Sequence, residues 1–461
     1  MESIPFSIVN RYLKERLLHP SRYTQGEFSF LKVYQHGISF ALNGQKHKVI
    51  KNYLRLPYLF QLGIYFLKSL QPKKKKPQYS FKEFVILDPG RVVKDSNGKW
   101  HSIYFEKVGQ AIGKDRLTSI NLKENAEIEA DYDITEFSDR HAFPDMRERK
   151  LLKEILASLK SARLHKQFTA YEMMQLQSAM HIFYEEFRFY YNIFKSQPTR
   201  SLLFICHYHK EGLIAAMKML NIRCIELQHG LIATNDVYYI YHEQFASVMD
   251  KALFPDEIMV YGPYWKRLLE NGCEFRSYQV HVAGDYLYRL SDLKKENANK
   301  ENIILVCAQK GMHQDYVNYG KRLAAHLKGH PDWRAVVRLH PLEQRKDAYE
   351  ELKDHGVEII GTEYPLDKML NKCKIQISIY STTFYDALGF DVINFSLQDF
   401  GSMSDYASDM IKEGVAIPLS TEEDPVAKYL DVTKTGYDFL TRDDVYSVFN
   451  EAIVSEVIDP R

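Results

Sequence analysis

The chain is poor in the residues that build disulfide and zinc scaffolds. Its 461 residues hold five cysteines, Cys206, Cys224, Cys273, Cys307 and Cys373. All are solitary, none has Cys-x-x-Cys spacing, and most sit inside apolar runs. That pattern reads as reduced, buried thiols and excludes a disulfide framework or a four-cysteine metal site. No run of 18 or more apolar residues occurs, so no segment matches the apolar length of a membrane-crossing helix. The acidic start Met1-Glu2-Ser3 is followed by no apolar signal-peptide core, and the expected location is cytoplasmic. An excess of one charge is missing too: 61 Lys and Arg face 60 Asp and Glu, a net +1. The whole chain therefore has no signature of a polyanion binder, and nucleic acid is not an expected partner.

What is present is 45% apolar residues, enough for a large core, in a length that suits two or three domains. The charge is unevenly spread. Residues 1–80 hold 14 Lys and Arg against 3 Asp and Glu, leaving the remainder acidic by about ten. Within them, the apolar and aromatic run Leu54 to Lys68 leads into Lys73 to Lys76. Two readings stay open: a core helix followed by a solvated lysine linker, or a peripheral contact with an anionic membrane surface.

From Phe81 onward short apolar runs alternate with helical patterns. Strands are expected at 84–87, 117–122, 201–206, 223–228, 255–262 and 279–284. After a polar linker at 292–301 they resume at 302–307, 333–338, 357–360, 375–379 and 392–395. Helices are expected between them, including 343–354 and a closing 441–457. Tyr171, Met174, Phe183, Phe187 and Tyr190 form an aromatic stripe that reads as core. The expected fold class is α/β, with two doubly wound Rossmann-like domains facing across a cleft and a basic amino-terminal extension. The expected division is 1–80, 81–290, 291–440 and a carboxyl-terminal helix at 441–461.

Three stretches carry candidate chemistry. Arg223-Cys-Ile-Glu-Leu-Gln-His-Gly230 ends a strand on His229 and Gly230, which suits an imidazole at the mouth of a cleft; the same Gln-His-Gly recurs at Gln35-His36-Gly37. Arg338-Leu-His-Pro341 closes a strand in the second half, where Pro341 stops the ladder and presents His340 as a hydrogen-bond donor to a phosphate. Ser378-Ile-Tyr-Ser-Thr-Thr383 sets three hydroxyls at a strand–helix junction, where they either cap backbone N–H groups or hold a phosphate.

In this order, with Val260-Tyr-Gly-Pro263 and Val282-Ala-Gly-Asp285 between them, these stretches resemble bacterial GT-B glycosyltransferases of surface-polysaccharide and capsule assembly. The likeness spans residues 200–400 and is to the group containing sialyltransferases, Kdo transferases and CDP-glycerol or ribitol polyol-phosphate transferases. It implies a sugar transferase with His229 as the base toward an acceptor hydroxyl. It further implies His340, Ser381, Thr382 and Thr383 on the donor phosphate, with Arg338 assisting the leaving group. Gly230, Gly284 and Pro341 would shape the cleft backbone. The resemblance points to a cytidine nucleotide-sugar donor, no cofactor and no required metal, and a glycan or lipid-linked acceptor. An unperturbed histidine value near 6.5 suits a base at neutral pH. Strand alternation sets Glu226 and Gln228 on one face and His229 on the other, which argues against Glu226 orienting it.

Three other readings compete. Asp131-Tyr132-Asp133 is a DxD, a carboxylate pair able to hold Mn²⁺ or Mg²⁺. A sugar-nucleotide 2-epimerase would use the same fold with cleft carboxylates. A membrane-surface binding module led by residues 1–80 would leave the two histidine turns unexplained.

Overall fold

The computed structural model describes residues 78–95, 97–122, 128, 130–134, 182–183, 185–208, 210–232, 238–240, 253–272, 275, 277–287, 299–341, 343–361, 363–400, 407–436 and 440–460, with the antiparallel pair Thr24–Gln25 and Phe28–Ser29. The run at 54–68, Lys73 to Lys76 and Gln35-His36-Gly37 lie outside the described residues. The chain divides into two compact units, Met1–Leu290 with Val448–Arg461, and Ser291–Ser447.

The first unit is built on seven strands: β1 (Phe84–Asp88), β2 (Leu117–Asn121), β3 (Tyr132–Asp133), β4 (Ser201–Ile205), β5 (Arg223–Leu227), β6 (Glu257–Val260) and β7 (Val280–Val282). Their order is β7-β6-β5-β4-β1-β2-β3, and every pairing is parallel. The chain thus runs outward one way from β1, then returns to place β4 on its other side. That reversal is the topological switch point of a doubly wound sheet. Helices α1 (Glu106–Ile112), α2 (Glu211–Met219) and α3 (Pro263–Glu270) lie in the crossovers. All five residues of β1 and of β4 are buried, as central strands covered on both faces must be. Phe183 and Tyr190 of the aromatic stripe are buried, and Phe187 packs on the same core.

The second unit repeats the plan with β8 (Ile303–Cys307), β9 (Arg334–Arg338), β10 (Glu358–Ile360), β11 (Ile375–Ser378), β12 (Ile393–Leu397) and β13 (Ile417–Leu419), ordered β10-β9-β8-β11-β12-β13 and parallel throughout. Strand periodicity builds its two cores. Ile304, Val306 and Ala308 enter one cluster, while Ile303, Leu305 and Cys307 enter the other. The helices are α4 (His313–Leu327), α5 (Leu366–Lys372), α6 (Thr383–Leu388), α7 (Ser408–Lys412), α8 (Pro425–Thr435) and α9 (Arg442–Val445). The expected pair of doubly wound Rossmann-like domains is therefore the fold that the chain adopts.

Two elements differ from expectation. The 343–354 helix is a 3₁₀ helix at Lys346–His355, ended by Gly356 at φ 78°. Its start is delayed because the Glu343 carboxylate accepts the Arg345 N–H at 2.8 Å and holds the preceding turn. The closing helix is broken in two: α9 belongs to the second unit, and α10 (Glu451–Ile458) returns to the first. At the break Asn450 donates its N–H to Ala283 O at 2.9 Å and caps α10 by accepting from Ile453 N. Helix α10 then meets the N-terminal edge of the first sheet. Ser201 donates to Ile458 O at 3.1 Å, and Arg223 donates to Val457 O at 2.8 Å.

Candidate active site

Parallel strands all end on one edge, so the residues that follow β1, β4 and β5 converge without long loops. Strand β5 stops because Gln228, fully buried, joins its end to the next strand. Its N–H donates to Met259 O, its side-chain amide donates to Gly230 O, and its side-chain oxygen accepts from Tyr261 N. The Gln of Gln-His-Gly is thus the clamp, and His229 is what the clamp presents. Its Nε2 lies 3.0 Å from the Tyr208 hydroxyl, and its carbonyl accepts from the Tyr104 hydroxyl at 3.1 Å. Nδ1 is buried without a hydrogen-bond partner. Burial lowers the imidazole to about 4, overcoming the opposing pull of Glu226. The expected value near 6.5 does not hold, because the site is drier than a strand-end loop suggests.

Beneath His229 lies a pair that sequence reading left out. His207, following β4, is completely buried, with Nδ1 2.5 Å from Glu226 Oε2 and Nε2 2.9 Å from Tyr238 O. A carbonyl only accepts, so Nε2 carries a proton. Glu226 also accepts from His207 N and from the Tyr239 hydroxyl at 2.6 Å, which favours a carboxylate and hence an imidazolium beside it. Burial alone would raise Glu226, yet the His207 charge and these hydrogen bonds hold its carboxyl below the ordinary value. Glu226 therefore anchors His207, in line with the strand alternation that set it apart from His229. Tyr208 stacks on Tyr238, with ring centroids 4.6 Å apart. The available signal was the polar His207-Tyr208 just after the apolar run Leu202 to Cys206.

In the second unit the same edge gathers the ends of β8, β9 and β11. Arg338 closes β9 half-buried, its Nε buried without a hydrogen-bond partner. His340 lies two residues on, lowered by burial and by Lys310 and Arg338, against the pull of Glu343. The loop after β8 was not singled out from the sequence. Its Gly311 at φ 79° donates its N–H to Glu343 at 3.3 Å, with exposed Lys310 beside it. A Gln-Lys-Gly between a strand and a helix was the signal.

The three hydroxyls are unequal. Ser381 accepts from the Thr383 N–H at 3.2 Å and from the Thr383 hydroxyl at 2.8 Å, and Gln376 donates to Thr383. Capping thus engages Ser381 and Thr383, while Thr382 is exposed and makes no side-chain cap. Helix α6 has only six residues, so any anion there would be held chiefly by hydroxyl donors.

The remaining positions divide by geometry. Gly230 does not have positive φ, and a Cβ there would meet nothing within 4 Å. Gly284, at φ 81°, is required for another reason than shaping a cleft: a Cβ would lie 2.1 Å from Val448 O, where the terminal segment crosses. Pro341 is exposed after His340. Asp131 accepts from Ser119 N and Asp133 from the Asn121 amide, so both DxD carboxylates bind the adjacent strand. Among the described residues no group of three or more His, Cys, Asp and Glu forms a metal-binding cluster, and no helix is long and apolar enough to cross a membrane. A cavity of about 730 Å³ is lined by Phe84, Ile112, Arg116 and Ile458 among others. It adjoins the start of β1, away from His229, and Arg116 there is already bound to Glu83 and Asp459. The edge carrying His229 has the better chemistry.

No protein-family model matches the chain, and no curated protein sequence does. Solved structures resemble it in fold. A UDP-GlcNAc 2-epimerase from Neisseria meningitidis bound to UDP-GlcNAc is 14% identical, with a TM-score of 0.43, over 81% of this chain and 98% of that one. The Methanocaldococcus jannaschii UDP-GlcNAc 2-epimerase is 11% identical, TM-score 0.43, over 81% and 98%. A spinosyn rhamnosyltransferase is 12% identical, TM-score 0.40, over 77% and 91%. At these scores the likenesses carry no functional information about this chain.

Proposed function

We propose that the chain is a GT-B type glycosyltransferase. It would move a sugar, with a CMP-activated ulosonic acid such as sialic acid or Kdo as the leading donor, to a hydroxyl of a glycan or glycolipid. The observation that carries this reading is the switch-point edge of each sheet: one presents a neutral imidazole, the other a phosphate-suited set of cations and hydroxyls. In the first unit His229 is the base. Kept uncharged by burial, it receives a proton at Nε2 from the Tyr208 hydroxyl bonded there, as Tyr208 takes the proton of the acceptor hydroxyl. In the second unit Arg338 and Lys310 supply charge toward the donor phosphate, while His340, Ser381 and Thr382 supply directional donors. Those side chains meet the leaving phosphate without a divalent ion. A CDP-glycerol or ribitol polyol-phosphate transferase would use the same two edges with a different transferred group.

A second reading, a sugar-nucleotide 2-epimerase, needs a carboxyl base. Asp88 at the end of β1 is the group to weigh, since burial raises its carboxyl. It is nonetheless engaged by the Ser102 hydroxyl and the Gly90 N–H, which leaves the histidine chemistry ahead.

Thermal unfolding with CMP, CDP and UDP tests the proposal. Stabilisation by the cytidine nucleotides over UDP is expected, and no shift with any nucleotide would sink every transferase version. A donor screen with CMP-sialic acid, CMP-Kdo, CDP-glycerol and UDP-sugars then separates transfer from epimerisation by product.

A further inference from the structure

We infer that the edge presenting His229 carries an oxyanion subsite built on Arg91, so that the molecule bound beside His229 bears a phosphate or a carboxylate. This rests on reading that edge as the acceptor site and adds the chemical class of the acceptor.

Arg91 follows β1 at the switch point, after Asp88-Pro89-Gly90, and Gly90 at φ 71° turns the chain there. The turn is fixed from within. Asp88 accepts from the Gly90 N–H and from Ser102, and Ile103 donates its N–H to Arg91 O at 3.0 Å. The hairpin Val92–Lys94 with Trp100–Ser102 thereby brings Tyr104 to the guanidinium. Arg91 Nη1 donates to the Tyr104 hydroxyl at 3.0 Å, and that hydroxyl donates to His229 O at 3.1 Å. The guanidinium is thus two hydrogen bonds from His229, and its side chain is exposed at the edge.

The charge balance is what points to a ligand. An arginine near carboxylates ordinarily pairs with one, and Asp88 and Glu226 lie at this edge. Both are buried and otherwise engaged: Asp88 by Ser102 and Gly90, Glu226 by His207 and Tyr239. Arg91 instead binds a neutral phenol, and no carboxylate among the described residues pairs with it. One N–H of its planar fork is used, and the others suit bidentate binding of an oxyanion.

Calorimetric titration of the full chain with glucose 6-phosphate, glucuronic acid and glucose tests this. One or both anionic probes should bind more tightly than glucose, and the stronger of the two names the anion. Arg91→Gln should weaken that probe about 10- to 100-fold, the range of a charge-assisted pair. Arg91→Lys should recover part of the loss, which a purely structural role would not produce. Tyr104→Phe, which frees the guanidinium without removing it, should give a smaller loss. Circular dichroism confirms that each variant is folded. Equal binding of all three probes, or wild-type anion binding by folded Arg91→Gln, overturns the inference. So does loss of the anion in His340→Ala with retention in Arg91→Gln, which would place it in the second unit. Failure of the nucleotide shift strikes the transferase reading and leaves the Arg91 titration standing.

Discussion

At the residue scale the question is what an imidazole lowered to about 4 by burial can do. It is uncharged across the neutral range and ready to accept a proton, at the expense of basicity. Activity should therefore fall only as pH drops through about 4, where His229 becomes protonated. An acid limb of kcat/KM near 6.5, measured with whichever cytidine donor is turned over, would show that another group is the base. His229→Ala should lower kcat by about 10²- to 10⁴-fold, the usual contribution of a general base, while nucleotide binding by calorimetry stays near wild type. His340→Ala should weaken nucleotide binding itself. Comparable losses of binding in both variants would refute the division of labour.

At the element scale the end of β4 is tied to β5 by His207 and Glu226, both wholly buried. Removing one member of a buried pair strands the other, which costs about 3–5 kcal/mol. Glu226→Gln should lose stability on that scale in urea melts at pH 7. The pH dependence follows from the sign of the shift. A carboxyl held below its ordinary value in the fold contributes stability above the unfolded value of about 4.3, and loses it as pH falls through the folded value. The gap between Glu226→Gln and wild type should accordingly narrow below about pH 4; a gap that stays constant to pH 3 would remove the ionised-pair description. Gly284 offers a second element-scale test. Alanine there adds left-handed strain of about 1–2 kcal/mol to a collision with Val448 O. The thermal midpoint of Gly284→Ala should drop, whereas Gly230→Ala, which meets no neighbour, should leave it near wild type.

At the scale of the whole molecule, the last fourteen residues fold with the first unit although the second unit precedes them in the chain. A chain ending at Ser447 loses the bonds from Ser201 and Arg223 to α10 and the burial of Val454, Val457 and Ile458. Trp100 and Trp265 lie in the first unit and Trp333 in the second, so tryptophan variants can report each unit separately. Truncation should lower the urea midpoint of the first unit and leave that of the second unchanged. An unmoved first-unit midpoint would count against this account of the terminal helix.

Much of the fold was legible because its signals are local. Apolar runs of strand length, alternating with amphipathic stretches, set the parallel α/β class, and β8 shows why: its odd and even residues feed two cores, so the whole run is apolar. His229 and His340 were legible as strand-end residues beside turn formers. What the sequence could not determine was who meets whom at an edge. Tyr208 follows β4, Arg91 and Tyr104 flank the hairpin after β1, and only the strand order β5-β4-β1 brings them to His229. The same holds for His207 and Glu226, nineteen positions apart, and for Gly284, whose neighbour Val448 arrives after the whole second unit. Composition and periodicity specified strands and helices by local propensity and burial. Strand order, a property of long-range packing, decided the surroundings of His229 and with them its charge state.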